Sequence, residues 1–181
     1  PGSSTGNASC SQPIAVGADG VLLSKGYGEG ARLLRITAPK TPDGEFSVEI
    51  AWQNQRALRT KFTNVVCSSR FAYGLSDGIL QCVNLSTGSI EWKARQRFGN
   101  GQVLGVDDLL LVQSESGEIT LVAMNTEKYE PLGSFQGLPA DSGACWNNLC
   151  LYGDKLLLRN SQYAACWRLP TVERQFHGDS P

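Results

Sequence analysis

Six cysteines and one histidine are the side chains best suited to nucleophilic, redox or metal chemistry in this chain. Cys10, Cys67, Cys82, Cys145, Cys150 and Cys166 are scattered, and no Cys-x-x-Cys pair suggests a zinc ribbon or a dithiol centre. Spacing leaves any disulfide pairing open. The plainer reading is that most of these thiols are small buried apolar residues. His177 stands in the polar run HGDSP and reads as a solvated tail residue, so a Ser-His-Asp or Cys-His arrangement has no ready base. The acids Asp77, Asp107, Asp108, Glu115 and Asp141 fall in or beside turns, where the backbone favours Asp. No Asp-x-Asp-x-Asp-Gly loop gathers oxygens for calcium, and nothing singles out a carboxylate pair for glycoside hydrolysis. GYGEG at 26–30 has the glycine content of a phosphate loop, but strands flank it and no helix follows, so it reads as a β-turn. Arg56, Arg59 and Lys61 fall in a polar connector, 54–62, read as a solvated loop.

The elements that position these residues are strands. With 181 residues the chain is long enough for one sizeable core. A net charge of −1 with 18% charged residues argues against a general nucleic-acid binder. No apolar run approaches the roughly 20 residues that span a bilayer as a helix. Residues 1–11 are small and polar and read as a flexible lead-in. Asn7-Ala8-Ser9 and Asn84-Leu85-Ser86 fit the glycosylation triplet, a pattern common by chance. Pro1 opens the chain and Met124 is the single methionine, as expected of a processed chain or a piece of a longer one. HGDSP reads as a true terminus.

Phe71–Lys93, FAYGLSDGILQCVNLSTGSIEWK, fixes the pattern: three short period-two strands separated by Ser-Asp-Gly and Ser-Thr-Gly turns. A short strand at 64–67 precedes them. Similar meanders cover about 12–53, 101–135 and 145–176, the last closing on a weak strand at 172–176. Four units of this length signal a propeller or another array. Cys67, 71–75 and Cys82 align in order with Cys150, 155–159 and Cys166.

The run YGLSDGILQCVNLSTGSIEWK resembles the repeat of the pyrroloquinoline-quinone-type (PQQ-like) β-propellers, whose tryptophan docking motif is G-x-L-x-A-x-D-x-x-T-G-x-x-x-W. Gly78, Leu80, Thr87, Gly88 and Trp92 match it; Cys82 replaces the usual Ala and Asn84 the usual Asp. Trp52 ends the first unit as Trp92 ends the second, whereas the third keeps Gly117, Ile119 and Leu121 without a terminal tryptophan. The resemblance covers about residues 12–170. It implies an all-β propeller of four-stranded antiparallel blades, four present, forming the C-terminal half of a seven- or eight-bladed ring. Trp92 and Trp52 would dock between blades, and Trp146 and Trp167 read as inter-blade packing residues. Quinone enzymes of this superfamily need an acidic calcium ligand, a catalytic Asp, an Arg and a stacked Trp, and many carry adjacent cysteines. Cys145-Trp146 is only an echo of that pair, so neither quinone nor calcium is expected. The resemblance points to a non-catalytic, extracytoplasmic or periplasmic scaffold whose partner is a protein or the missing propeller half. Its alternatives are a fragment of a quinone-dependent alcohol or sugar dehydrogenase and an accessory subunit capping a membrane-bound complex.

Overall fold

The computed structural model describes residues 7–170, and its regular elements there are all β-strands. The first sheet joins β1 (Ile14–Val16), β2 (Gly20–Lys25), β3 (Gly30–Thr37) and β4 (Ser47–Asn54) in sequence order. The second joins β5 (Val66–Cys67), β6 (Phe71–Ser76), β7 (Ile79–Asn84) and β8 (Ile90–Lys93). The third joins β9 (Gln102–Val106), β10 (Leu109–Gln113), β11 (Glu118–Ala123) and β12 (Pro131–Gln136). The fourth joins β13 (Cys150–Tyr152), β14 (Lys155–Arg159) and β15 (Ala164–Arg168). All neighbours are antiparallel, as short connections require. The fourth strand expected at 172–176 and the tail from His177 lie outside the described residues. So do the first six residues of the lead-in.

The sheets pack face to face, and side-chain parity divides the core. Leu110 and Val112 of β10 join Tyr73, Leu75, Leu80, Cys82 and Trp92 of the second sheet. Leu111, between them in sequence, joins Leu156 and Leu158 of the fourth sheet instead. Ala72 and Val83 face back to Leu22 and Leu33 of the first sheet. Successive residues thus enter different cores, because strand side chains alternate faces.

The register repeats from sheet to sheet. Ile14–Leu22–Leu33–Trp52 forms a row across the first sheet, Val66–Tyr73–Cys82–Trp92 across the second, and Leu104–Leu111–Leu121–Gly133 across the third. A bulge follows the row at the same place each time: at Leu33/Leu34, Cys82/Val83 and Leu121/Val122. In the fourth sheet the row is Cys150–Leu157–Cys166. Cys150 is therefore the counterpart of Val66. The sequence alignment of Cys67 with Cys150 is off by one residue, and Cys67 packs towards the first sheet instead.

Four expectations are corrected. The meander expected to end at 135 closes with the strand Pro131–Gln136, and the one expected from 145 has its first strand only at Cys150. The connector 54–62 is not simply a solvated loop: Ala57 and Leu58 are fully buried between the first two sheets, and Leu58 takes φ 46°. The cysteines are not mostly buried. Only Cys82 and Cys145 are, whereas Cys10, Cys150 and Cys166 are exposed and Cys67 is intermediate. Cys150 and Cys166 flank Leu157 on the outer face of the fourth sheet, which no described residue covers.

Burial pushes the Cys82 and Cys67 thiols up to about 11. Alkylation needs access and a thiolate, so a short iodoacetamide pulse at pH 8 on native protein should label the exposed Cys10, Cys150 and Cys166 and spare Cys82, buried with a raised pKa, and Cys145, which is buried. Peptide mass spectrometry reads the pattern. Fast labelling of Cys82 would contradict the packing of the second sheet on the third.

Candidate functional site

The rim of the sheet stack and one loop-bearing end hold the residues of interest. At the rim, Trp52 of β4 lies over the β7–β8 turn of the second sheet. Its indole N–H donates to the Leu85 carbonyl at 2.7 Å. Beneath the ring is Gly88, where a Cβ would lie 2.5 Å from the indole. Gly88 also has φ +73°, which glycine adopts without strain. Its carbonyl accepts from the Asn54 amide at 2.7 Å, and its N–H donates to the Asn84 carbonyl at 2.8 Å. Asn84 and Thr87 brace the turn: Asn84 accepts from the Ser86 N–H at 2.9 Å, and Thr87 contacts the Ser89 hydroxyl at 2.8 Å.

Trp92 repeats the contact one sheet on. Its indole donates to the Asn125 carbonyl at 2.7 Å, and its ring sits between Tyr73 and Tyr129, with centroids 6.0 and 5.9 Å away. Leu80 is buried beside it. Gly78 forms the β6–β7 turn with φ +85° and accepts from the Phe98 N–H at 2.7 Å. Trp167 of the fourth sheet packs edge-on against Phe135 and donates to the Gly137 carbonyl at 2.9 Å.

Trp146 is placed differently from a residue packed between sheets. It is 47% exposed and stacks on Phe62, 37% exposed, with centroids 5.1 Å apart. Both lie on connectors at the end of the stack where the β2–β3, β6–β7 and β10–β11 turns also lie. The Gln102 amide ties them together, donating to the Phe62 and Trp146 carbonyls at 3.0 and 2.7 Å. Glu115 accepts from the Trp146 indole at 2.6 Å and from the Asn100 N–H at 3.1 Å. Alongside, Asp77 bridges Arg59 at 3.4 Å and Lys61 at 3.8 Å, and Lys61 lies over the half-exposed Tyr27 ring at 5.6 Å. This surface therefore alternates aromatic rings with paired charges. Of the acids and bases named from sequence, it gathers Glu115, Asp77, Arg59 and Lys61. Asp107 and Asp108 belong to the opposite end, in the β9–β10 turn. Sequence reasoning missed the assembly because its members come from separate connectors.

Partial burial by itself would raise the Glu115 carboxyl. The bonds from Asn100 and Trp146, with the Lys61 charge, outweigh that and hold it below the usual carboxylate range. Among the described residues, no group of three or more His, Cys, Asp or Glu side chains is placed to hold a metal. They form no helix long and apolar enough to cross a membrane.

Protein-family models and curated proteins give no match to this chain. Solved structures do. The WD40 β-propeller domain of Doa1 matches at TM-score 0.58 and 14% identity, over 90% of this chain and 52% of that one. The chain folds as β-propeller blades. The computationally designed Ika4 protein matches at TM-score 0.54 and 9% identity, over 91% of this chain and 99% of that one. BamB from Moraxella catarrhalis matches at TM-score 0.51 and 14% identity, over 97% of this chain and 61% of that one. At such identities the likeness is one of fold. The four sheets are four antiparallel blades, and the chain spans about half the length of the Doa1 chain.

Trp92→Ala should cost roughly 3–5 kcal/mol, the scale of a large buried aromatic, and lower the melting temperature. Gly88→Ala should cost about 2–4 kcal/mol through its positive φ and its clash with Trp52. Denaturant melts check both, and a wild-type midpoint in either would refute the contact. Glu115 has a depressed folded pKa, so its contribution is present above the ordinary carboxylate value and is lost as pH falls through the folded value. The Trp146 indole N–H resonance should therefore shift with a midpoint below the ordinary glutamate value. Glu115→Gln should abolish that shift, and a midpoint above the ordinary value would contradict the network.

Proposed function

We propose that this chain is a non-catalytic β-propeller scaffold of PQQ-like type that binds a partner protein through its loop-bearing end. The observation that carries the reading is the surface of Tyr27, Phe62 and Trp146 interleaved with Arg59, Lys61 and Glu115. These rings are 37–47% exposed, although most large apolar side chains of the central blades are buried. Tyrosine, tryptophan and arginine are the residue types that dominate interface energetics. Loops on a rigid sheet frame are where propellers present such contacts.

The outer faces of the first and fourth blades add to the reading. Val48 and Ile50 are 58% and 56% exposed on one, and Leu157 is 43% exposed on the other. Apolar sheet faces of this kind are suited to further blades, supplied by the missing half of a ring or by a partner chain. The Trp52–Gly88 and Trp92 contacts act as the blade-docking elements. The extracytoplasmic placement and the role as a subunit of a membrane-associated complex rest on the PQQ-like resemblance. The BamB fold likeness is in keeping with them. No observation favours the dehydrogenase alternative.

The test is cross-linking in the source organism followed by purification and mass spectrometry, comparing wild type with the Phe62→Ala/Trp146→Ala double variant. Wild type should recover a defined partner. The double variant should fold, by circular dichroism and melting, and recover that partner at least about tenfold less, a change worth ~1.4 kcal/mol. Equal recovery by both, or wild type isolated only as free monomer, would sink the proposal. A quinone absorbance on adding quinone and calcium to the full-length protein would favour the enzyme instead.

A further inference from the structure

Blade 3 lacks the rim tryptophan that its neighbours carry. Register places Gly133 where Trp52 and Trp92 stand: each pairs with the row residue immediately before the bulge. Among the described residues, nothing lies within 4 Å of a Cβ placed at Gly133. A cavity of about 400 Å³ lies there, walled by Val106, Leu111, Ile119, Leu121, Phe135 and Leu151. That volume falls within the range of small-molecule sites.

On the receiving side, the described residues keep one element of the contact. In the second blade the Leu85 N–H donates to the Arg70 carbonyl, and the Leu85 carbonyl accepts the Trp52 indole. In the fourth blade the Leu169 N–H donates to the Asp154 carbonyl at 2.7 Å in the same way, and Leu169 lies on the cavity wall. Trp167 does not fill the gap: its indole is bonded to Gly137, and its ring braces Phe135 from the side. The cavity's charged group, Asp154, is already engaged by Arg168 at 3.2 Å and Lys155 at 3.7 Å. A charged guest would lose its hydration against apolar walls without a free counter-charge.

We propose that the cavity between blades 3 and 4 binds a small, neutral, planar aromatic molecule of about indole size, taking the place of the tryptophan that Gly133 omits. The site lies at the opposite end of the sheets from the Phe62–Trp146 surface, so it stands or falls separately from the scaffold reading. Apolar walls accept such rings because the guest restores the contacts the walls lack.

Indole itself is the probe, titrated into the full chain and followed by two-dimensional NMR. Saturable one-to-one binding is expected with Kd on the order of 0.1–1 mM, the scale of a small apolar fragment. Intermolecular Overhauser effects should reach the methyls of Leu111, Ile119 and Leu121. Indole-3-acetate should bind at least about tenfold more weakly, because its carboxylate must be desolvated. Gly133→Trp should raise the melting temperature and weaken indole by at least about tenfold. Gly133→Leu, a smaller filling, decides the matter if the tryptophan variant does not fold. Absence of saturable binding, Overhauser effects to other residues, or unchanged affinity in Gly133→Leu would overturn the proposal.

Discussion

A sheet inside a stack must be apolar on both faces, and the rest of this structure follows from that requirement. The second and third blades meet it by parity: Leu110 and Val112 enter one core, while Leu111 enters the next. Each core is shared by two neighbouring blades, so a blade is stabilised by its neighbours far more than by itself. Stability of this kind is close to a sum of nearest-neighbour interfaces. The connectors join in. Leu58, Phe98 and Leu138 recur every forty residues, and all are buried where the chain passes from one blade to the next. Central sheets therefore gain from length, and the end sheets keep one face that no described residue covers.

At the rim, a second device sets how neighbouring blades meet. A tryptophan on the fourth strand presents an N–H to a backbone carbonyl of the next blade's turn, which fixes the ring in a way that apolar contact alone does not. Gly88 shows why the turn residue matters, since any side chain there would occupy the place of the Trp52 ring. The device is local, so it can be lost from one interface without disturbing the others. The third blade does this: Gly133 leaves register and bulge intact while removing the ring.

Much of the architecture was legible in the sequence because turn chemistry and strand alternation are local. Ser-Asp-Gly and Ser-Thr-Gly turns placed β6, β7 and β8 closely, and the recurrence of such meanders along the chain announced the repeat. What was hidden depended on tertiary register. Cys67 and Cys150 look equivalent by position, yet a one-residue slip places them on opposite faces. The exposed Cys150 and Cys166 have the composition of a core but no described blade above them. The contact of Phe62 with Trp146 and Glu115 joins three connectors, and local pattern carries no signal for that. The forty-residue spacing of Leu58, Phe98 and Leu138 was a signal that could have shown the connectors to be partly buried.

The two uncovered faces differ in chemistry. On the first blade, Val21, Leu34 and Ile50 form a row, with Ile36 and Val48 beside it and Arg32, which lies 3.9 Å from Glu29, on the same face. On the fourth, Cys150–Leu157–Cys166 is flanked by Arg159 and by Lys155 and Arg168, both paired with Asp154. Arg32, Lys155 and Arg168 thus have counter-charges within the chain, and a covering blade can pack on their aliphatic stems while their heads stay at the margin. What differs is the centre. The first face offers branched aliphatic side chains, whereas the fourth offers one leucine between two thiols. A neighbour for the first is selected by apolar area, and a neighbour for the fourth must also pack against polarizable sulfur.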